Sequence, residues 1–354
     1  MIDRVYVCHT YYHTYVSFMK EFNLPKEEQG KADLIISHMS TDFETFPERV
    51  RASGVFHDVI EYDEKLPQEF PELAVYKESN HGFLKKMSNR IKYTKGLAKK
   101  EEPFVPVDFK NYKNIYVYCD SDPIGYYLNY KKIKYHAVED GLNTLAHLDA
   151  ARYSNRGHFG LKVFFSKYLN LIFIENGYSK YCIDMEVNDI SKIEKPFKGF
   201  VEVPREKLFA NLTQEHKDIL LRVFVKNYDA LVEAVASTKE GCNMYLTEPL
   251  STLDVRQKIA EDIIAEYGHD GKMVIKPHPR DELDYVSLFP DCIVIDRTVP
   301  MEMLNFFEDP VAEKAYIVFT DPGAIHFAKE VVVLGPDFMD KYEDPAIHRQ
   351  RETI

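Results

Sequence analysis

The sequence predicts an α/β protein built from two parallel, doubly wound domains, and three observations carry that prediction. Short apolar, β-branched and aromatic runs alternate with stretches of helical spacing along the 354 residues. The alternation pauses over residues 183–203, rich in Lys and Glu and carrying Pro196, and then restarts. The two turns richest in reactive side chains, Glu139-Asp140-Gly141 and Lys276-Pro277-His278-Pro279-Arg280, each follow a strand-like run, one in each half. Ligands of open α/β sheets gather at the carboxyl ends of the strands. The expected domains are 1–195 and 205–335, with a tail over 336–354.

In the first half, residues 4–8 are a strand of high β propensity, and helical spacing follows from Tyr15 to Phe22, with His9, Thr10 and His13 in or near the intervening loop. Strands are expected at 32–37, within 55–62, at 114–119 and at 134–138, and a helix at 45–51. Asp120-Ser121-Asp122-Pro123 reads as a turn and helix start. The basic run 85–100 is a solvated helix face or a contact for an anionic surface. Residues 161–174 are strongly apolar but shorter than the ~20 residues a bilayer span needs. They form a core or inter-domain helix, or a surface facing the acceptor or a membrane.

In the second half, a helix is expected over 219–236, a strand at 243–247, a helix over 255–267 and a strand at 273–275. Prolines 277 and 279 end that last strand, because proline lacks an amide donor and pushes its predecessor towards extended geometry. His278 is thereby held on a stiff turn. Strands at 292–296, 315–319 and 330–334, a short helix at 301–307, and a helix beginning near Pro322 complete the pattern.

A net charge of −12 argues against a nucleic-acid partner, whose footprint is basic. Five scattered cysteines without a CxxC pair suit reduced thiols in a cytoplasmic protein. HExxH, P-loop, GxGxxG and GxSxG motifs are absent, which disfavours a zincin, a kinase, a dinucleotide dehydrogenase and an α/β-hydrolase. A carboxylate held in a cleft has its pKa raised towards the range of a general base, so Glu139 or Asp140 suits proton abstraction from a sugar hydroxyl. Gly141 lets the chain swing sharply beside them. An imidazole beside Lys276 and Arg280 suits an anionic leaving group, most simply a phosphate. Asp120-Ser121-Asp122 is the one Asp-X-Asp that follows a strand.

Taken together, these stretches resemble the bacterial sialyltransferases of glycosyltransferase family 52, with the polysialyltransferases next. The likeness rests on Val7-Cys-His-Thr-Tyr-Tyr-His13, Glu139-Asp-Gly141, Leu246-Thr-Glu-Pro-Leu250 and Ile275-Lys-Pro-His-Pro-Arg280, in that order along the chain. The resemblance implies a GT-B-like fold, two Rossmann-like domains facing a central cleft. It implies inverting single displacement from CMP-sialic acid onto an oligosaccharide or glycolipid acceptor, with no cofactor and no required metal. Glu139 or Asp140 becomes the base, with Glu139 favoured, and His278 stabilises the departing phosphate. Lys276, Pro279, Arg280, Thr320 and Gly323 are expected around the donor, and Thr10, His13 and Gly141 around the cleft. Two departures stand out: Tyr11 replaces a common proline, and Thr320-Asp321 occupies the place of a Ser-Ser or Ser-Thr pair.

The expected role is capsule or lipooligosaccharide assembly in the cytoplasm, with peripheral contact at the inner membrane face or a homodimer as further expectations. A related transferase with another CMP- or CDP-linked donor (Kdo or a polyol phosphate), or a non-catalytic glycan- or nucleotide-binding protein, are the alternatives.

Overall fold

The computed structural model describes residues 2–39, 42–77, 82–140, 150–193, 195–226, 228–237, 242–269 and 273–348. The chain separates into two compact units, Met1–Thr213 and Gln214–Ile354. Each is built on its own parallel sheet.

The first unit carries β1 (Arg4–Cys8), β2 (Ala32–Ser37), β3 (Asp58–Tyr62), β4 (Asn114–Val117), β5 (Tyr135–Val138), β6 (Cys182–Val187) and β7 (Phe200–Glu202). They pair in parallel in the order β3-β2-β1-β4-β5-β6-β7. β1 and β2 are buried along their whole length, as continuous apolar runs in a sheet covered on both faces should be. Val5, Val7, Ile35, Val117 and Ala137 form the centre of the core, and each buried Val or Ile contributes roughly 1.5–3 kcal/mol. Arg4 enters this core only because its guanidinium meets the equally buried Glu21 at 2.8 Å. The order reverses between β1 and β4, so the loops after these strands diverge and leave a crevice at their carboxyl ends.

The second unit carries β8 (Met244–Leu246), β9 (Val274–Lys276), β10 (Ile293–Val294), β11 (Ala312–Ile317) and β12 (Ala328–Val333), parallel in the order β10-β9-β8-β11-β12. Its reversal lies between β8 and β11. Tyr245, Ile263, Ile275, Tyr285 and Tyr316 centre the core.

Several expectations change. Residues 183–203 are not a linker but supply β6 and β7 to the first sheet, and the division between units falls after Thr213. The tail is not separate, since Phe338 and Met339 pack into the second core. The single helix expected over 219–236 is two, Gln214–Phe224 and Tyr228–Ser237. Residues 161–174 do not make one core helix. A five-residue helix, Phe159–Val163, runs into a single wide turn of π type, Phe164–Tyr168, and Leu161, Phe164, Tyr168 and Leu169 remain exposed. No helix starts near Pro322; Pro322–Ala324 is one 3₁₀ turn that leads to β12. Among the described residues no helix is long and apolar enough to cross a membrane.

Candidate active site

The reactive side chains of the first unit meet at its switch point. His9 follows β1, and Thr10 caps the Tyr11–Phe22 helix by accepting the His13 amide at 3.2 Å. Thr10 is thus a helix cap, and the cap fixes the first turn that carries His13. His13 is fully buried and stacks on Tyr118, just beyond β4, with ring centroids 4.5 Å apart. The His9 amide donates to His13 Nδ1 at 3.0 Å, so a neutral His13 carries its proton on Nε2, where it meets Asp140 Oδ1. Burial pushes the His13 pKa down to about 4, against the pull of Asp140. Burial is the largest single influence on the Asp140 carboxyl and tends to raise it, but His13, a hydrogen bond from Cys119 and the nearby His9 together hold the pKa below the ordinary value.

The two adjacent carboxylates point in different directions. Asp140 is 41% exposed at its side chain. Glu139 is 1% exposed, and its Oε2 accepts the Asn188 amide at 2.7 Å, which ties the end of β5 to the end of β6. Burial raises the Glu139 pKa, although the Asn188 amide and Arg205 oppose it. The pattern gives Glu139 to the frame and Asp140 to solvent. Gly141 lies outside the described residues.

Around this pair stands a second buried network. His9 Nε2 lies 2.8 Å from Glu64 Oε2 and 3.5 Å from Asp122, and Glu64 also accepts Ser37 Oγ at 2.9 Å and the Ile124 amide at 2.7 Å. Burial lifts both Asp120 and Asp122 to about 7. Donor atoms of His9, His13 and Cys119 lie within 4.8 Å of one another, close enough to consider a metal. A metal-binding histidine, however, needs its second nitrogen to donate to an acceptor. Here Nδ1 of His13 faces the His9 amide, itself a donor. The cluster is therefore better suited to holding a proton than a metal ion. Asp120 and Asp122 do not converge as a chelating pair either: Asp120 is buried against Tyr135 at 3.0 Å and the Asn176 amide at 3.0 Å.

In the second unit the Lys276–Arg280 turn is held from below. The His278 amide donates to Thr247 Oγ1 at 3.1 Å, and Thr247 in turn donates to Asp281 Oδ2 at 2.5 Å. The Asp281 carboxylate, fully buried, also meets Tyr285 at 2.9 Å and Arg256 at 3.0 Å. His278 Nδ1 accepts the Arg280 amide at 3.1 Å, which places the imidazole proton on Nε2. Burial first, then Arg280 and Lys276, hold the His278 pKa below the ordinary value, so the flanking cations keep this ring neutral. Lys276 is 3% exposed, and its ammonium caps the Pro277 carbonyl at 2.6 Å and reaches the Arg297 carbonyl at 3.4 Å. It braces the turn from inside rather than standing at its surface, and burial pulls its pKa down to about 8. Pro279 and Arg280 are exposed beside His278.

Across the switch point from this turn, Thr320 follows β11 and its hydroxyl donates to Glu248 Oε1 at 2.7 Å. Gly323 gives its amide to Asp321 at 2.9 Å. The free helix amides expected there for an anion are thus replaced by a self-satisfied turn, because Asp321 caps it. Sequence reasoning missed Asp281 and Glu64, and it located His9 and Thr247 at strand ends without assigning either a role. Thr247 and His9 sit immediately after strands, which is the one local signal they give.

Residues 75–321 match the sequence profile described as Glycosyltransferase family 52. The chain belongs to glycosyltransferase family 52. Two solved structures show the same GT-B-like fold as this family member. A sialyltransferase from Photobacterium damsela superposes with a TM-score of 0.50 at 12% identity, over 98% of this chain and 77% of that one. A 2,6-sialyltransferase from Photobacterium sp. JT-ISH-224, in a ternary complex with the donor product CMP and the acceptor lactose, superposes with a TM-score of 0.50 at 10% identity, over 94% of this chain and 71% of that one. An uncharacterized protein of Haemophilus influenzae is 36% identical over 91 residues, 24% of this chain and 29% of that protein. The match thus spans under a third of that curated relative.

Proposed function

We propose that this family 52 glycosyltransferase moves sialic acid from CMP-sialic acid to a hydroxyl of a surface-glycan acceptor by inverting single displacement. The observation that carries the reading is the half-exposed Asp140 carboxylate, held by a neutral, buried His13 at the switch point of the first sheet. Asp140 takes the proton as the acceptor oxygen attacks the anomeric carbon of the donor. The bond from that carbon to the phosphate oxygen breaks, and His278, through Nε2–H, stabilises the charge arriving on the departing CMP. Glu139 anchors the loop through Asn188, which exchanges the roles first favoured from sequence. Thr247 and Asp281 position His278. Family membership supports glycosyl transfer, and the likeness to a Photobacterium enzyme whose structure holds CMP and lactose supports a CMP-linked donor and a sugar acceptor. The same reading places the enzyme in capsule or lipooligosaccharide assembly, at the cytoplasmic face of a membrane.

A second reading, a transferase for another CMP- or CDP-linked donor, is favoured by one observation. Asp321 and the Glu248-bound Thr320 stand where the resembled family carries paired hydroxyls. Calorimetric titration with CMP, CDP and UDP tests both. Selective CMP binding that is lost in His278→Ala, together with turnover of CMP-sialic acid, supports the sialyltransferase. CMP binding with turnover of CMP-Kdo alone supports the second reading, and preference for CDP or UDP sinks the first.

A further inference from the structure

A cavity of about 350 Å³ opens in the first unit, away from the carboxylate loops. It is lined by Lys95, Lys132 and Lys180, by Tyr126, Tyr130 and Tyr181, and by Asn129, Asn170 and Leu169 among others. Among the described residues lining it there is no carboxylate, on a chain whose net charge is −12. None of the three lysines forms an ion pair among the described residues; Lys180 reaches the Tyr168 carbonyl at 3.0 Å. Lys132 lies three residues before β5 and Tyr181 immediately before β6, so the cavity lies at the amino ends of these strands, opposite to Asp140. Concentrated positive potential with aromatic hydroxyls and amides is the chemistry of an oxyanion site.

Next to the cavity, residues 161–169 expose an apolar stripe. Leu161, Phe164 and Tyr168 follow a helical i, i+3, i+7 spacing and are 42%, 47% and 65% exposed; Leu169, at 45%, also lines the cavity. Phe164 and Tyr168 pack on each other with ring centroids 5.6 Å apart, forming a raised apolar ridge. Apolar and aromatic side chains that stay in water cost free energy, and a contiguous set bordered by lysines fits an interface between water and hydrocarbon.

We infer that this ridge and the lysine-lined cavity form one docking surface for a bilayer containing anionic phospholipid. The headgroup phosphate enters among Lys95, Lys132 and Lys180, and Phe164, Tyr168 and Leu169 sink into the headgroup–acyl boundary. The charge of the lining selects an anion, and the ridge beside it selects an amphiphile over a soluble phosphate. The inference deepens the membrane-face location proposed above, yet binding to lipid does not depend on which sugar is transferred.

The test is sedimentation of the full chain with vesicles of phosphatidylcholine alone and with added phosphatidylglycerol, in the absence of donor. Binding to the anionic vesicles only, weakened by raised salt, is expected. Replacing all three lysines (K95Q, K132Q, K180Q) should weaken it about a hundredfold, since each cation near an anionic surface contributes a factor of several. Phe164→Ser with Leu169→Ser should leave the low-salt encounter and abolish retention at moderate salt. Thermal unfolding and CMP binding, both unchanged, show that these variants are folded. Equal binding to neutral vesicles, no binding, or variants that bind like the parent overturn the inference. So does full competition by millimolar inorganic phosphate, which would assign the cavity to a soluble anion. Self-association through Phe164 that blocks vesicle binding would assign the ridge to a second copy instead.

Discussion

His13 and Asp140, 127 residues apart in the chain, are joined by a hydrogen bond whose direction is set by a third group, the amide of His9. The amide occupies Nδ1, the proton stays on Nε2, and Asp140 receives it as an acceptor. A half-exposed carboxylate thereby keeps its ionised form and a fixed orientation.

The first prediction separates the adjacent carboxylates. Asp140→Asn should lower kcat by a hundredfold or more while thermal stability changes little, because the side chain is half in water. Glu139→Gln should cost about tenfold in kcat and lower the melting temperature, because it disturbs a buried anchor. The opposite ranking would return the base to Glu139.

Protonation of His13 gives the second. Its pKa in the fold is about 4, against 6.5 for the free side chain. Between those values the unfolded chain binds a proton that the folded one does not, so this group's contribution is complete above 6.5 and is lost as pH falls towards 4. His13→Gln should remove that part of the slope. Urea unfolding of both proteins at pH 7 and pH 5 measures it; equal losses would show that His13 does not titrate as described.

Nucleotide binding should take up protons. His278 is held neutral by burial, Arg280 and Lys276, and a phosphate placed at Nε2 would raise its pKa. CMP affinity should therefore rise as pH falls from 8 to 6. Calorimetry in buffers of different ionisation enthalpy should register proton uptake that disappears in His278→Ala. Thr247→Val, which removes the acceptor of the His278 amide, should weaken CMP by about tenfold and keep the pH trend. Binding without proton uptake would place the phosphate elsewhere.

Gly125 has no room for a side chain. A β-carbon there would lie 1.9 Å from the Asp120 carbonyl oxygen, so the loop that carries Cys119, Asp120 and Asp122 closes tightly over the first turn of the Pro123–Lys131 helix. Gly125→Ala should cost about 3 kcal/mol by denaturant unfolding, through forced backbone movement. A cost within ~0.5 kcal/mol would mean that the loop yields freely.

Much of this was legible because buried parallel strands announce themselves. β1 and β2 are mostly apolar, with runs at Val5–Cys8 and Leu34–Ile36, and the prolines at 277 and 279 mark the end of β9. β6 and β7 were not legible, since Asp184, Glu186 and Glu202 give them the composition of a linker, and only pairing with β5 makes them strands. The 3₁₀ turn at Pro322 looked like a helix start because the capping of Gly323 by Asp321 is a local competition that spacing does not reveal. The loops that hold Asp140 and His278 could be found from motifs. Which carboxylate faces water, and which residue orients each imidazole, depended on Asn188, His9 and Thr247, contacts that no local pattern records.

The lysine-lined cavity and Asp140 sit at opposite ends of β5. A strand of this length, with its flanking residues, rises about 3.3 Å per residue, or roughly 20 Å in all. A protein resting on a bilayer by the cavity end would carry its acceptor loop at that height above the lipid, out of reach of a sugar attached directly to a headgroup. The sheet would act as a spacer, and chain length of the glycan, more than the identity of its lipid, would decide which acceptors are modified.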